Sequence, residues 1–546
     1  MKLCPKCQRT YGDETLKFCR VDGAKLTDAP SSLTDGPSSS PEHPTRILPP
    51  RPHDSEEAVT KEFDSEAGGG GTSGEAKRRR KRTARNKTID SLAVLPLAGT
   101  GSDPEIEYLG DGITESLINN LSQIPKLRVM ARATVFRYKG SELDPQEVGR
   151  ELSVRAVLMG RVLYRQERLS IRVELIDAAD GSHLWGEHYN RGLEDIFSIE
   201  EEIAAEIAEK LRLRLSGGVK DRLVKRFTED AEAYQLLLKG RYSFYKQTEE
   251  GFRKARQYFE QAIAREPNYA LAHAYLARTY NSQLYFGYLP QEEALPKISA
   301  ALEKALELDP TLSEAHLTLA EKKFHYDWDW AAAEREFKRA IELSPNNAEA
   351  HLLYAFYLAD MERPDEAVGE AKRAQDLDPL SLFTQMAVGF IFSIAGRPDE
   401  ALEQGRRLLE MEPNFFGAHW LLGVAYSLKG VHEKALAEIQ RALELGGGPL
   451  TLSFLGFLYG LSGRRGEALR IVEELSEARK RRHVPASDIA IVYAGLGMRD
   501  QALEWLEKAY QERSGTMTSL KVNRALDPLR SDPRFDALLD RVGLRR

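Results

Sequence analysis

One spacing recurs so often in this chain that it leaves few folds open. A small residue is followed seven positions later by another, and often by a proline five positions beyond that: Ala255/Ala262/Pro267, Ala333/Ala340/Pro345, Ala367/Ala374/Pro379 and, with a leucine second, Ala401/Leu408/Pro413. The pattern continues without the proline at Ala435/Ala442, Ala468/Leu475 and Ala502/Ala509. From Ala333 onward the first members stand 34, 34, 34, 33 and 34 apart. A fixed period of this size marks stacked supersecondary units, none of which can bury its apolar face alone. Twelve residues before the first members lie Ser243, Ala355, Gly389, Gly423, Gly456 and Ala490. Small residues in register are needed where two helices of one unit cross closely. Proline has no N–H and clashes with the preceding turn, so it marks the end of the second helix. Aromatic residues three positions after the small one (Tyr280, Phe392, Tyr426, Tyr459, Tyr493) are placed to fill the space between units.

These residues resemble the tetratricopeptide (TPR) repeat family, over about half of the chain. The resemblance implies an array of about eight helix pairs over 236–516, an all-α superhelical solenoid whose concave wall is built by the first helix of each pair. It places Phe356, Phe383, Met386, Phe390, Trp420, Val424 and Phe457 on that wall, with Leu450 beside them. Family members that clamp a terminal carboxylate use Lys and Asn at such places. Phe and Val stand there in this chain, so an apolar or amphipathic peptide is the expected occupant, with the aromatics as anchors. The second repeat is irregular: Pro267 to Pro310 spans 43 residues, and the excess falls near the aromatic run Tyr285–Pro290. That run is a partner contact or a longer loop packed on its neighbours. Residues 517–546, with Asp527-Pro528 and Asp532-Pro533-Arg534-Phe535, are expected to cap the array.

Ahead of the array the chain changes character three times. Residues 1–26 hold all three cysteines, as Cys4-Pro-Lys-Cys7 and Cys19 three residues before Asp22. Two residues between thiolates let both face one tetrahedral metal, and Asp22 repeats the spacing with oxygen. The segment resembles small bacterial zinc ribbons, implying a structural zinc on Cys4, Cys7 and Cys19 with Asp22 or water as the fourth ligand; an empty hairpin with free thiols is the alternative. Residues 27–88 are rich in Pro, Ser and Gly, too poor in apolar side chains to order themselves, and are read as a linker. The basic run within 77–87 is a solvated part of it, with a nucleic-acid or anionic-lipid contact as the alternative.

From 89 to 214 short apolar runs alternate with amphipathic stretches. Strands are expected at Ser91–Leu97, Leu127–Ala131, Val154–Tyr164, Leu169–Asp177 and His183–Tyr189, and helices from Gly112, at Pro145–Leu152 and from Ile196. Crossover helices followed by a hairpin indicate an α/β domain with a mixed sheet. Asp111 is the expected N-cap of the first helix, between Gly110 and Gly112. The stretches YLGDGITESLINNLSQIPKLRVMAR and IDAADGSHLWGEHYNRGLEDIFSIEEEIA resemble an α/β domain related to the amino-terminal domain of TolB. Bacterial relatives carry it ahead of TPR arrays, some with a kinase, a winged helix or a cyclase in front. No catalytic set comes with it. Gly110 and Gly112 lack the third glycine of a dinucleotide fingerprint, and no P-loop follows. His183 and His188 alternate along a strand without partners at metal spacing. Residues 215–235 form a connector.

Net charge is −7, and no apolar run approaches the ~20 residues of a membrane span. The expectation is a multidomain, non-enzymatic cytoplasmic scaffold of bacterial type: zinc-ribbon-like N-terminus, α/β domain, TPR solenoid. It binds protein or peptide in the concave groove, with no catalytic or organic-cofactor site. Two alternatives stand beside it: a nucleotide- or small-ligand sensor seated in the α/β domain, and a nucleic-acid regulator acting through ribbon and basic run.

Overall fold

The computed structural model describes residues 2–3, 10–11, 27–28, 89–99, 104–141, 144–165, 168–211, 213, 228–481 and 483–545. They fall into two units, Met1–Arg82 and Thr83–Arg546. In the first, the strands β1 (Lys2–Leu3), β2 (Thr10–Tyr11) and β3 (Thr27–Asp28) pair antiparallel in the order β2-β1-β3. The expected zinc ligands Cys4, Cys7, Cys19 and Asp22, the linker and the basic run at 77–87 lie outside the described residues.

The second unit opens with a mixed sheet. Its strands are β4 (Ser91–Val94), β5 (Ala98–Gly99), β6 (Arg128–Val129), β7 (Ala156–Arg165), β8 (Arg168–Asp177) and β9 (Ser182–Gly192). The order is β6-β4-β7-β8-β9, with β5 also on β7; contacts among β4, β5, β6 and β7 are parallel and β7-β8-β9 antiparallel. Parallel neighbours need a crossover, supplied by helix α1 (Pro104–Ser122) between β4 and β6. Along β8, Leu169, Ile171, Val173 and Leu175 are buried while Arg168 and Arg172 face solvent, so one face of the sheet is wet. Helix α1 and helix α4 (Ile196–Lys210) cover the other.

The helix expected from Gly112 begins instead at Pro104. Proline at the first helical position is the sequence signal for that earlier start, because its missing N–H is not needed there. Asp111 therefore lies inside α1 and caps nothing; it is buried and pairs with Lys139 at 2.8 Å. Gly110 and Gly112 are packing devices. A Cβ on Gly110 would come within 2.6 Å of the Leu97 carbonyl oxygen, and one on Gly112 within 2.8 Å of Leu238 Cδ2.

Eight helix pairs follow: Ala231–Phe244 with Glu249–Arg265, Ala270–Tyr285 with Gln291–Leu308, Ser313–Lys322 with Trp330–Leu343, Ala348–Asp360 with Pro364–Leu377, Leu382–Ile394 with Pro398–Met411, Phe416–Leu428 with His432–Glu444, Pro449–Leu461 with Arg465–Arg479, and Ala486–Gly495 with Arg499–Gln511. The first starts five residues before 236, because Asp230 caps it, accepting from the N–H groups of Glu232 and Ala233. The prolines Pro267, Pro310, Pro345, Pro379 and Pro413 each sit two residues past the end of a second helix. The small residues mark crossings: a Cβ on Gly389 would stand 2.3 Å from Leu421 Cδ2, and one on Gly423 2.5 Å from Ile439 Cδ1.

A further recurrence ties the pairs together. Six residues after Pro310 and Pro345, His316 and His351 each lie 3.0 Å from that proline's carbonyl oxygen. Their other ring nitrogens contact Glu336 and Glu370 on the following helix, at 2.6 and 2.5 Å. In repeat 5 Gln385 and Gln404 take over the two roles.

The α/β module and the array share one core, which runs from Ile89 to Tyr326. Arg241 of the first helix is buried against Glu115 of α1, with 2.6 Å between Nη2 and Oε1, and donates to Ser116 at 3.2 Å. Beside this pair the Tyr234 hydroxyl lies 2.7 and 2.8 Å from the carboxyl oxygens of buried Glu200. A second seat lies at the turns of repeats 3 to 5. Asn346 donates to the carbonyls of Ser122 and Ile124, and Thr134 to Asp378 at 2.7 Å.

At the far end the segment after the last repeat turns back onto the array. Trp328, held at φ 55° after the π-helical turn Lys323–Asp327, packs against Tyr510 in a tilted pair at 5.5 Å, with the Arg513 guanidinium 4.9 Å from its ring. Lys521 pairs with Glu362. The array thus comes round far enough for repeat 8 and the cap to meet repeats 3 and 4.

Two stability predictions follow from this packing. A Cβ on Gly495 would lie 2.5 Å from the Phe457 carbonyl oxygen, whereas one on Gly369 meets nothing within 4 Å. Gly495→Ala is expected to lower the urea midpoint by ~1–3 kcal/mol of stability and Gly369→Ala to raise it by ~0.4–1 kcal/mol. Burial pushes the Glu200 carboxyl up to about 8, against the Tyr234 hydroxyl, which lowers it. The folded state then holds a proton that the unfolded state releases near pH ~4.3. Stability from this group is full below that value and lost as pH rises through about 8. Glu200→Gln should flatten the fall of Tm between pH 5 and 8, measured by calorimetry.

Candidate binding groove

The curved array encloses a groove of about 2940 Å³, lined by first helices along its length. Residues 116–123 of α1, the segment 131–133 and Glu200 wall one end. Phe356, Phe383, Met386, Phe390, Trp420, Val424 and Phe457 all line it. Phe356, Phe390 and Trp420 form a continuous aromatic row, with ring centroids 6.3 and 5.1 Å apart. Phe383 stands 61% exposed beside them. Trp420 is half-buried and its indole N–H, shielded from solvent, has no hydrogen-bond partner. Phe457 is buried and stacks on Phe454 at 5.6 Å, so it shapes the wall from behind.

The wall changes chemistry toward the module. The places held by Phe383 and Phe390 in repeat 5 are held by Glu349 and Phe356 in repeat 4, by Glu314 and Glu321 in repeat 3, and by Leu271 and Arg278 in repeat 2. Arg278 pairs with Glu349 and lies 5.1 Å from the Phe244 ring. Glu321 has no ion pair or hydrogen bond among the described residues; burial, and then the Glu349 charge, push its carboxyl up to about 8. Burial also raises Glu314, whose side chain takes a hydrogen bond from its own N–H. These acids were within reach of the sequence, since the positions that pick out Phe383 and Phe390 also pick out Glu314 and Glu321. They stand one repeat beyond the apolar stripe from which the wall was first read.

Further buried groups lie where the array meets its own end. Asp360 sits beside the Thr518 hydroxyl and Asp488 near Arg479; burial pushes each carboxyl up to about 7. His325, enclosed near Gly515, is pushed down to about 4. The aromatic run between the two helices of repeat 2 reaches the same region. Phe286 stacks on Phe252 at 5.6 Å, and a Cβ on Gly287 would lie 2.6 Å from His483 Cβ. Tyr285 of this run remains 67% exposed and lines the groove.

Other residues singled out in the sequence have ordinary surroundings. Gly110 and Gly112 lie within α1, where their N–H groups are not those of a free helix terminus. His188 Nε2 lies 2.9 Å from Ser170 Oγ on an exposed strand face. Among the described residues no group of three or more His, Cys, Asp or Glu is placed to hold a metal ion, and no helix is long and apolar enough to cross a membrane.

Comparison with known proteins finds matches in separate stretches of the chain. Residues 329–381 and 395–448 match the tetratricopeptide repeat family model. Residues 87–206 match a different family, described as HilA/YgeH-like transcriptional regulator, second domain. A Rhizobium meliloti (strain 1021) protein named "Putative adenylate cyclase 3" is 37% identical over 233 residues, which are 42% of this chain. The matched stretch spans only 39% of that relative's own length. Among solved structures, YrrB, described as a TPR protein with an unusual peptide-binding site, is 25% identical over 34% of this chain and 92% of its own, with a TM-score of 0.26. PilF of Pseudomonas aeruginosa is 22% identical over 38% of this chain and 92% of its own, at a TM-score of 0.29. It is the family model that identifies the repeats: behind a mixed-sheet α/β domain, this chain carries tetratricopeptide repeats, units that serve as scaffolds for protein–protein interaction.

Proposed function

We propose that this chain is a non-enzymatic cytoplasmic scaffold that holds a segment of a partner polypeptide in its concave groove. The observation that carries this is the aromatic row Phe356–Phe390–Trp420, with Phe383 projecting beside it into a groove of about 2940 Å³. At ~140 Å³ per residue of a helix 11 Å across, that space suits a segment of up to roughly 20 residues rather than a folded domain. Buried aromatics in a pocket are the usual anchors of such contacts. The repeats' family supports the partner class. The likeness of residues 87–206 to a domain of transcriptional regulators, and of part of the chain to a relative named as a cyclase, supports a role in regulation or signalling. The α/β module then acts as the fixed end wall of the groove. Its relation to TolB-like domains is part of the same proposal.

The test is capture of partners from the native cell by full-length protein, compared with Phe390→Ala/Trp420→Ala. Truncating two central anchors is expected to weaken retention by at least tenfold, since hot-spot aromatics cost ~2 kcal/mol or more each. Circular dichroism should stay unchanged. Equal retention by both proteins would exclude the groove as the partner site.

The N-terminal cysteines are proposed to hold one structural zinc through Cys4, Cys7, Cys19 and Asp22. Elemental analysis should find one zinc per chain, lost in Cys4→Ser/Cys7→Ser; metal-free wild-type protein would refute it. The second reading, nucleic-acid contact through the basic run, is motivated by the clustered cations at 77–82. It requires a salt-sensitive gel shift that disappears on deleting 77–87.

A further inference from the structure

The groove has two chemically different halves, and the second constrains what the first can hold. From Phe356 of repeat 4 through repeat 7 the wall is mainly apolar, Glu349 at the start of repeat 4 being held by Arg278. In repeats 2 and 3 it presents acceptors. Glu321 has no ion pair and no hydrogen-bond donor among the described residues. The Glu314 side chain takes a hydrogen bond from its own N–H and, among the described residues, from no other. Asn281 of repeat 2, only 7% exposed, also lines the groove, and its side-chain oxygen is buried without a partner among the described residues.

Cations close to this stretch are already engaged. Arg278 is held by Glu349, Arg241 by Glu115 together with Ser116, and Lys322 and Lys323 by Asp327. The site therefore has carboxyl and amide oxygens to spare while these cations are held by other carboxylates. Buried polar groups are normally paired, and an acceptor left open in a groove is a place for a ligand's donor. An anionic group would have to hold both carboxyls protonated and would lose its own hydration in doing so. An ammonium or guanidinium would find carboxyl and amide oxygens free to accept, and a bond to an ionised carboxyl has roughly twice the strength of a neutral one.

Resting on the groove as the polypeptide site proposed above, we infer that its occupant is an amphipathic segment carrying a basic side chain. Its apolar residues lie on the Phe356–Phe390–Trp420 row, and its Lys or Arg is received by Glu314, Glu321 and Asn281 of repeats 2 and 3. Recognition is thus bipartite. The aromatic row supplies contact area with little selectivity, and the acceptor half sets both the sign of charge that is admitted and the direction in which the segment lies.

The test begins from a random peptide library displayed on phage and panned on the full-length protein. Peptides recovered on the wild type should combine large apolar residues with at least one Lys or Arg at a fixed offset from them. The same panning on Glu314→Gln/Glu321→Gln should still recover apolar peptides but lose the basic residue. For one recovered peptide, fluorescence anisotropy should show at least tenfold weaker binding to the double variant, and a similar loss when the basic residue is replaced by Gln. Combining both changes should cost little more than either alone, because they remove the same contact. Melting curves verify that the Gln variants are folded. A wild-type pool with apolar but no basic preference overturns the bipartite site and leaves the groove standing. Peptides bound equally by Phe390→Ala/Trp420→Ala overturn the groove itself.

Discussion

Everything in the array depends on how closely its helices can cross, within a repeat and from one repeat to the next. At Gly389, Gly423 and Gly456 a single added carbon would come within 3 Å of a neighbouring side chain, so the backbones approach as near as glycine permits. That distance fixes how each pair leans on the next, and the same small rotation repeated eight times bends the stack. By the eighth pair it has turned far enough for Tyr510 and Arg513 to reach Trp328 on the third. The groove is consequently bounded on three sides: by first helices along its length, by the returning cap, and by the α/β module at the start.

The module's contribution is placement. Its pair Glu115–Arg241 is buried on both sides and hydrogen-bonded. Such a pair gains little stability over apolar packing, because both charges are taken from water, but it cannot be formed out of register. The carbonyls of Ser122 and Ile124, offered to Asn346, add a second fixed point more than a hundred residues further along the chain. Two anchors on separate repeats hold α1 across the groove end and leave the module no hinge about either one. The outer face of the sheet is charged strand surface, with Arg168 and Arg172 exposed on β8.

Period, helix ends and the apolar stripe are legible in the sequence because each is set locally. Proline stops a helix wherever it stands, and glycine in register has few other uses. The mixed sheet is legible for the same reason, through the alternation along Leu169–Leu175. What escapes is non-local or is marked by a signal read in the wrong frame. Asp111 looks like a cap only if the helix starts after it; Pro104 already supplies a start seven residues earlier. The return of the cap onto repeat 3 needs the sum of eight rotations, and no residue of Trp328–Trp330 or Gly515–Ser519 announces its partner. The histidines at 316 and 351 are a middle case. Their six-residue distance from proline is visible in the sequence, but its meaning, a bridge from the turn to the next helix, appears only when Glu336 and Glu370 are in place.

The closed curve also explains how an acidic half-wall is tolerated. Carboxyls facing a wide solvent surface would ionise and stay hydrated. Here ionising Glu321 means charging a poorly hydrated group beside Glu349, which the Arg278 charge offsets only in part; its affinity for a proton rises to about 8 instead. The empty groove escapes the penalty by keeping that carboxyl neutral near physiological pH. A cationic side chain entering beside it reverses the balance, because the opposite charge favours the carboxylate and expels the proton. Proton release and ligand entry are then one event. The same linkage requires a basic occupant to bind more tightly as pH rises from 6 towards 8, whereas an occupant held by the aromatic row alone gains nothing over that range.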